Sequence, residues 1–188
     1  MYRTLLADAR FNDLLLAFDS DLAAATRAAG CARCGGVVHS ARFWRKPRGG
    51  PAGLGDEHAQ RFSFCCAEDL CRSRNTPPSF RFLGRKAWLG AVVVLVAAMR
   101  QEAMATRQLT ALFGVSRRTI GRWRKWWVSA FTASPFWKIA AAALMPPVDP
   151  GRLPASLLER FAGDAAAQLI ALLRFLLPIS AGAAMHAA

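Results

Sequence analysis

Five cysteines fall into two groups: Cys31 and Cys34 form a C-x2-C pair followed by Gly35 and Gly36, and Cys65, Cys66 and Cys71 follow, the last two in C-x4-C spacing. Paired thiols at these spacings carry the chemistry of a tetrahedral metal site. A turn lets both thiolates of a pair face one ion, and glycine after it permits a tight backbone. Cys31, Cys34, Cys66 and Cys71 are therefore expected to close a structural zinc ribbon around a 31-residue excursion. Neighbouring strand residues point to opposite faces, so Cys65 or Cys66 must be spare, and Cys66 is the expected ligand. His39 and His58 are fallback ligands, and unrelated free thiols are the plain alternative. A catalytic zinc wants an open position and a carboxylate base, typically His-x-Glu ahead of a C-x2-C pair, and the sequence has no such tripeptide. The chain is read as not being an enzyme by itself.

A second constellation is cationic. In the stretch 106–125 (TRQLTALFGVSRRTIGRWRK), Leu109 and Phe113 mark the inner face of a helix, Gly114 permits a left-handed turn and Val115 plugs the corner. Ser116 is placed to cap a second helix. Counting from that cap, Ile120 and Trp123 fall on the buried side, whereas Arg117, Arg118, Gly121, Arg122 and Lys125 fall on the exposed one. The stretch resembles the helix-turn-helix of bacterial regulators and transposases. With Ser116, those five residues are the expected DNA contacts: arginine reads guanine edges bidentately, neighbouring cations neutralise phosphates, and Gly121 lets the backbone approach the groove. A merely solvated basic helix is the competing reading.

The elements that must position these groups are legible in outline, and the expected fold is mainly α: an N-terminal helix, a small zinc ribbon, a helix-turn-helix domain and a C-terminal amphipathic helix. Residues 1–30 carry apolar side chains at Leu5, Leu6, Phe11, Leu14, Leu15, Phe18, Leu22 and Ala23, near the helical period, with Gly30 as the stop. Residues 31–83 lose that period and need an external staple. Helical patterning from about Gly84 to Met99 opens a domain over 84–138. Residues 139–188 combine a Pro-rich linker at 145–151 with an amphipathic helix from Ser156 to Leu177, stopped by Pro178. Its apolar stripe of Leu157, Leu158, Phe161, Ala165, Leu169, Leu172, Leu173 and Leu176 either closes the core or makes a dimer. Trp126 and Trp127 are expected to pack rather than to stack on bases.

The chain of 188 residues carries a net charge of +13, and the excess lies in the middle: residues 31–90 hold 11 basic against 4 acidic groups, and residues 91–138 hold 8 against 1. That distribution points to a polyanionic partner. Two stretches, 42–48 and 72–86, interleave cations with aromatics; their cations are expected to meet phosphate, while Phe43, Trp44 and Phe80 suit stacking and packing equally. Residues 1–30 mix Arg3, Asp8, Arg10, Asp13, Asp19 and Asp21 among the apolar positions, unlike a signal peptide, and the longest apolar run, Ala87 to Met99, is too short for a membrane helix. A cytoplasmic, nucleoid-associated protein without membrane contact is expected.

A C-x2-C/C-x4-C ribbon running straight into a helix-turn-helix resembles the N-terminal DNA-recognition portion of bacterial insertion-sequence transposases and their small accessory proteins. The resemblance covers about Cys31 to Trp127. It implies duplex DNA as partner, an element end or an operator, with a separate transposase as a further partner and a role in transposition or transcription regulation. The catalytic half of such enzymes is missing: only Asp149, Glu159 and Asp164 lie beyond the motif, two of them expected on one helix. A homodimer would suit a palindromic site. The rival class is a protein-interaction adaptor for a transposase or the transcription machinery.

Overall fold

The structure is a computed structural model that describes residues 2–45, 47–51, 53–83, 88–99 and 106–181. It is mainly helical, and at its centre lies α3 (Gly90–Met99), all ten residues of which are buried. Its run Val92-Val93-Val94-Leu95-Val96 is rich in strand formers. Among the described residues no strand lies alongside to pair with it, and a helix satisfies its own backbone while offering apolar surface on every side. Around it pack α1 (Tyr2–Ala7), α5 (Arg117–Trp126), α7 (Ala155–Leu158) and α8 (Ala165–Phe175). The helical patterning expected from Gly84 begins later. Trp88 and Leu89 are extended, bridged to Arg48 and Phe82, and residues 84–87 lie outside the described ones.

Helix α2 (Ala9–Ala29) starts at Asp8, whose carboxylate accepts from the Arg10 N–H at 3.0 Å, and ends at Gly30 with φ +74°. Along its buried face Phe11 and Leu15 enter the main core, and Ala23 enters a second, smaller core with Cys31, Val38, Phe62, Phe64 and Cys66. One helix thus serves both cores. The small core belongs to a three-stranded antiparallel sheet, β1 (Val38–Ser40), β4 (Phe64–Cys66) and β5 (Arg74–Asn75), in the order β1-β4-β5; β2 (Phe43–Trp44) and β3 (Gln60–Arg61) form a separate ribbon.

At the midpoint of α2, Asp19 is buried and ties the two halves together. Its carboxylate accepts from Ser79 Oγ at 2.6 Å, the Phe80 N–H at 2.6 Å and Arg81 Nε at 2.8 Å. Arg81 also donates to the His58 and Gln60 carbonyls, and the Ser79 N–H reaches Ser180 Oγ at 2.8 Å. Arg81, one of the cations of 72–86 expected to meet phosphate, is turned inward to a carboxylate instead, because Asp19 supplies a counter-ion in a site closed to water. Arg61 is buried as well, and desolvation brings its guanidinium down to about 10.

The single C-terminal helix expected over 156–177 is three. Helix α7 ends at Leu158, Gly163 takes φ +100°, Asp164 caps α8 by accepting from the Ala167 N–H at 2.9 Å, and α9 (Leu177–Ser180) follows. Pro178 sits in the first turn of α9, where its missing N–H costs nothing, and so does not end the segment. Glu159 and Asp164 therefore do not share one helix. The apolar stripe survives the breaks: Leu157, Leu158, Leu169, Leu172, Leu173 and Leu176 are buried in the main core, so the stripe closes that core.

Candidate metal centre and cationic helix

Two turns carry the four thiols. In the first, the Gly35 N–H donates to the Cys31 carbonyl at 2.8 Å and the Cys31 N–H to the Gly36 carbonyl at 2.9 Å, with Gly35 at φ +74°. A Cβ on Gly36 would fall 2.8 Å from Cγ of the exposed Glu68 side chain on the opposite turn. In the second, the Cys71 and Arg72 N–H groups donate to the Glu68 carbonyl between β4 and β5. Pairing of β1 with β4 brings the turns face to face: the Cys31 and Cys71 sulfurs lie 3.7 Å apart, Cys34 and Cys66 3.5 Å, and all four within 4.8 Å of one another.

A tetrahedron of thiolates with bonds of about 2.3 Å has sulfurs about 3.8 Å apart, and a disulfide requires about 2.05 Å. The four cysteines are positioned to hold a metal ion. Burial pushes the Cys66 thiol up to about 12, whereas the Ser73 hydroxyl at 3.1 Å, with the N–H groups of Arg33 and Cys34, brings Cys31 down to about 6. A bound cation is what would ionise a thiol as buried as Cys66. Ser73, 3.5 Å from Cys71 as well, is a supporting hydroxyl that the cysteine spacing alone did not announce.

Cys65 faces away from the cluster, its thiol 3.6 Å from the Arg72 carbonyl. His39 is exposed on β1, and His58 lies buried with Nε2 at 3.0 Å from Asp13, so neither fallback ligand joins the thiols.

Helix α4 (Thr106–Phe113), a turn at Gly114 with φ +61°, and α5 form the second candidate site. Leu109, Phe113, Val115, Ile120 and Trp123 are buried, Val115 completely. Ser116 caps α5 by accepting from the Thr119 N–H at 3.2 Å. Ser116, Arg117, Arg118, Gly121, Arg122 and Lys125 are all exposed. Among the described residues none of these four cations forms an ion pair; Arg122 reaches only Thr119 Oγ1, at 3.2 Å. At Gly121 a Cβ would meet nothing within 4 Å.

Beyond α5 the helix widens into a π turn, Trp127–Phe131, which seats both Trp127 and Phe131 in the core. Trp126 packs against both, with ring centroids 4.9 and 5.3 Å away.

In the basic stretch 42–48 each described arginine lies over a ring: Arg42 over Phe62 at 4.9 Å, Arg45 over Phe43 at 5.0 Å and Arg48 over Trp88 at 5.9 Å. Trp44 is 63% exposed, whereas Phe80 is buried. Lys46, Arg85 and Lys86, counted with these cations in the sequence, lie outside the described residues. No described helix is long and apolar enough to cross a membrane.

Comparison of the chain with protein-family models, curated proteins and solved structures finds no match.

Proposed function

We propose that this chain is a DNA-binding protein that lays α5 in the major groove through Arg117, Arg118, Arg122 and Lys125, with α4 and α5 acting as a helix-turn-helix. The cysteine sheet is its zinc ribbon, with a structural Zn2+ held by Cys31, Cys34, Cys66 and Cys71. The observation that carries the reading is the coincidence, on one helix, of four exposed cations without ion pairs among the described residues and an exposed mid-helix glycine that no internal contact requires. Guanidinium groups left free by the fold are available to phosphates and guanine edges, and a face without a Cβ admits close approach. Zinc suits the site because four thiolates with sulfur spacings near the tetrahedral value leave no open coordination position for a substrate. The residues supply binding and positioning, and the ion supplies folding energy. Transposition or transcription regulation is the setting that the order of the two motifs suggests.

The experiment is a titration of fluorescent random-sequence duplex DNA at two salt concentrations, comparing the wild type with Arg117→Ala/Arg118→Ala/Arg122→Ala, with bound metal counted by native mass spectrometry. The expected result is wild-type binding that weakens steeply with salt and is largely lost in a variant still carrying zinc. A zinc-loaded variant that binds as tightly as the wild type would sink the assignment. That outcome would favour a protein-interaction adaptor, for which the exposed side chains of Ile139 and Met145 on and beyond α6 (Pro135–Ala142), each 77% accessible, offer apolar surface.

A further inference from the structure

The loop that carries Arg48 is fastened to the entry of α3. The Leu89 N–H donates to the Arg48 carbonyl at 3.3 Å, and Arg48 bridges Trp88 in parallel register. Gly49, at φ +87°, lies so close to α3 that a Cβ would fall 2.8 Å from both methyl carbons of Val92. The Trp88 ring stands edge-on to Trp123 of α5, centroids 5.3 Å apart and planes at 84°, and the Arg48 guanidinium rests 5.9 Å from the other partner of that pair, Trp88 itself. Arg48 is nevertheless exposed, and among the described residues it has no ion pair. Trp88 thus lies between the Arg48 guanidinium and Trp123, a residue of the cationic helix itself.

In the homeodomain, a three-helix variant of the helix-turn-helix, the arm ahead of the first helix reaches into the minor groove adjacent to the major-groove segment read by the third helix. Trp88 and Leu89 are the residues that enter α3, and Arg48 is bound to both. A narrow minor groove concentrates negative potential and draws in arginine.

We infer that Arg48 is a second DNA contact, held at a fixed offset from α5 by the Trp88–Trp123 pair, and that it occupies the minor groove flanking the major-groove segment taken by α5. The inference rests on the DNA-binding reading above. It makes the Arg48 loop and α5 one binding surface, although about seventy residues of chain separate them.

The test compares wild type, Arg48→Ala and the triple α5 variant on duplexes rich in A·T, with and without a minor-groove ligand of the netropsin type bound beforehand. Arg48 is a surface residue, so its alanine variant should keep the wild-type thermal midpoint and metal content. Binding by Arg48→Ala should fall about tenfold, and its log–log salt slope should be shallower by about one phosphate contact. The minor-groove ligand should weaken the wild type and leave the alanine variant unaffected. An alanine variant with the wild-type slope and the same sensitivity to the ligand overturns the loop contact; if the triple variant is meanwhile inactive, the DNA-binding reading of α5 stands without it. Loss of binding in Arg48→Ala together with full binding by the triple variant overturns both the joint surface and the reading of α5.

Discussion

A glycine in the middle of a helix forfeits about 0.5–1 kcal/mol relative to alanine, and at Gly121 the fold gives nothing in return, since a Cβ there would stand in open space. Gly121→Ala is therefore expected to raise the stability of the free protein by about that amount, read as a shift in the urea midpoint. The added methyl lies on the cationic face, so the same substitution should weaken duplex binding. Alanine that stabilises the protein without touching its DNA affinity would remove Gly121 from the interface. Cys66 shows a residue answering to the opposite demand. Its place on β4 aims it into the small core, and strand alternation turns Cys65 outward; the two-residue period of a strand says that one of the two is spare, and the pairing of β4 with β1 decides which. Ser73 was not readable, because a lone serine two residues after Cys71 has many reasons to be there, and only the approach of the two turns brings its hydroxyl to Cys31.

Among the elements, the pair α4 and α5 was the most legible, since the turn glycine, the corner valine, the cap and the two faces are each fixed by local stereochemistry within a span of twenty residues. The C-terminal segment was legible in which residues it buries and not in its continuity. Gly163 and Asp164 are a stop followed by a cap, and a continuous apolar stripe outweighed them in the sequence. Arg81 was misplaced because charge counting gives no direction. The signal lay on another element: Phe11, Leu15, Asp19 and Ala23 follow one another at four-residue spacing along α2, so a carboxylate sits in an otherwise apolar stripe and calls for a buried cation. Removing it in Asp19→Ala leaves Arg81 buried without its partner, with Arg61 buried nearby. A loss of about 3–5 kcal/mol is expected in equilibrium denaturation, far above the effect of an exposed acid such as Asp21. A loss under about 1 kcal/mol would show that water reaches the pair.

At the scale of the molecule, the four-cysteine cluster and the cationic helix are joined through shared structure. Helix α2 enters both cores, Arg81 binds carbonyls at the edge of the cysteine-bearing half, and the Arg48 loop is bound to the start of α3. Stripping the proposed zinc ion with a thiol-compatible chelator should therefore disturb more than the cysteine sheet. The expected outcome is a lower thermal midpoint for the helical half, seen in the near-ultraviolet signal of its tryptophans, and weaker DNA binding that returns when zinc is restored. Unchanged tryptophan signals and affinity after the ion is lost would mean that the two halves are only neighbours.

The burial of α3 provides a clock for that coupling. A helix with no exposed residue has no local fluctuation that would wet its amides, so their protons trade for deuterium only when the surrounding layers separate together. Amides of α4, whose outer face is in solvent, have a shorter route. Deuterium uptake along Gly90–Met99 thus reads the opening free energy of the whole helical assembly, and its acceleration on loss of the ion would measure, in isotope exchanged per hour, how much of that assembly four distant sulfurs hold shut.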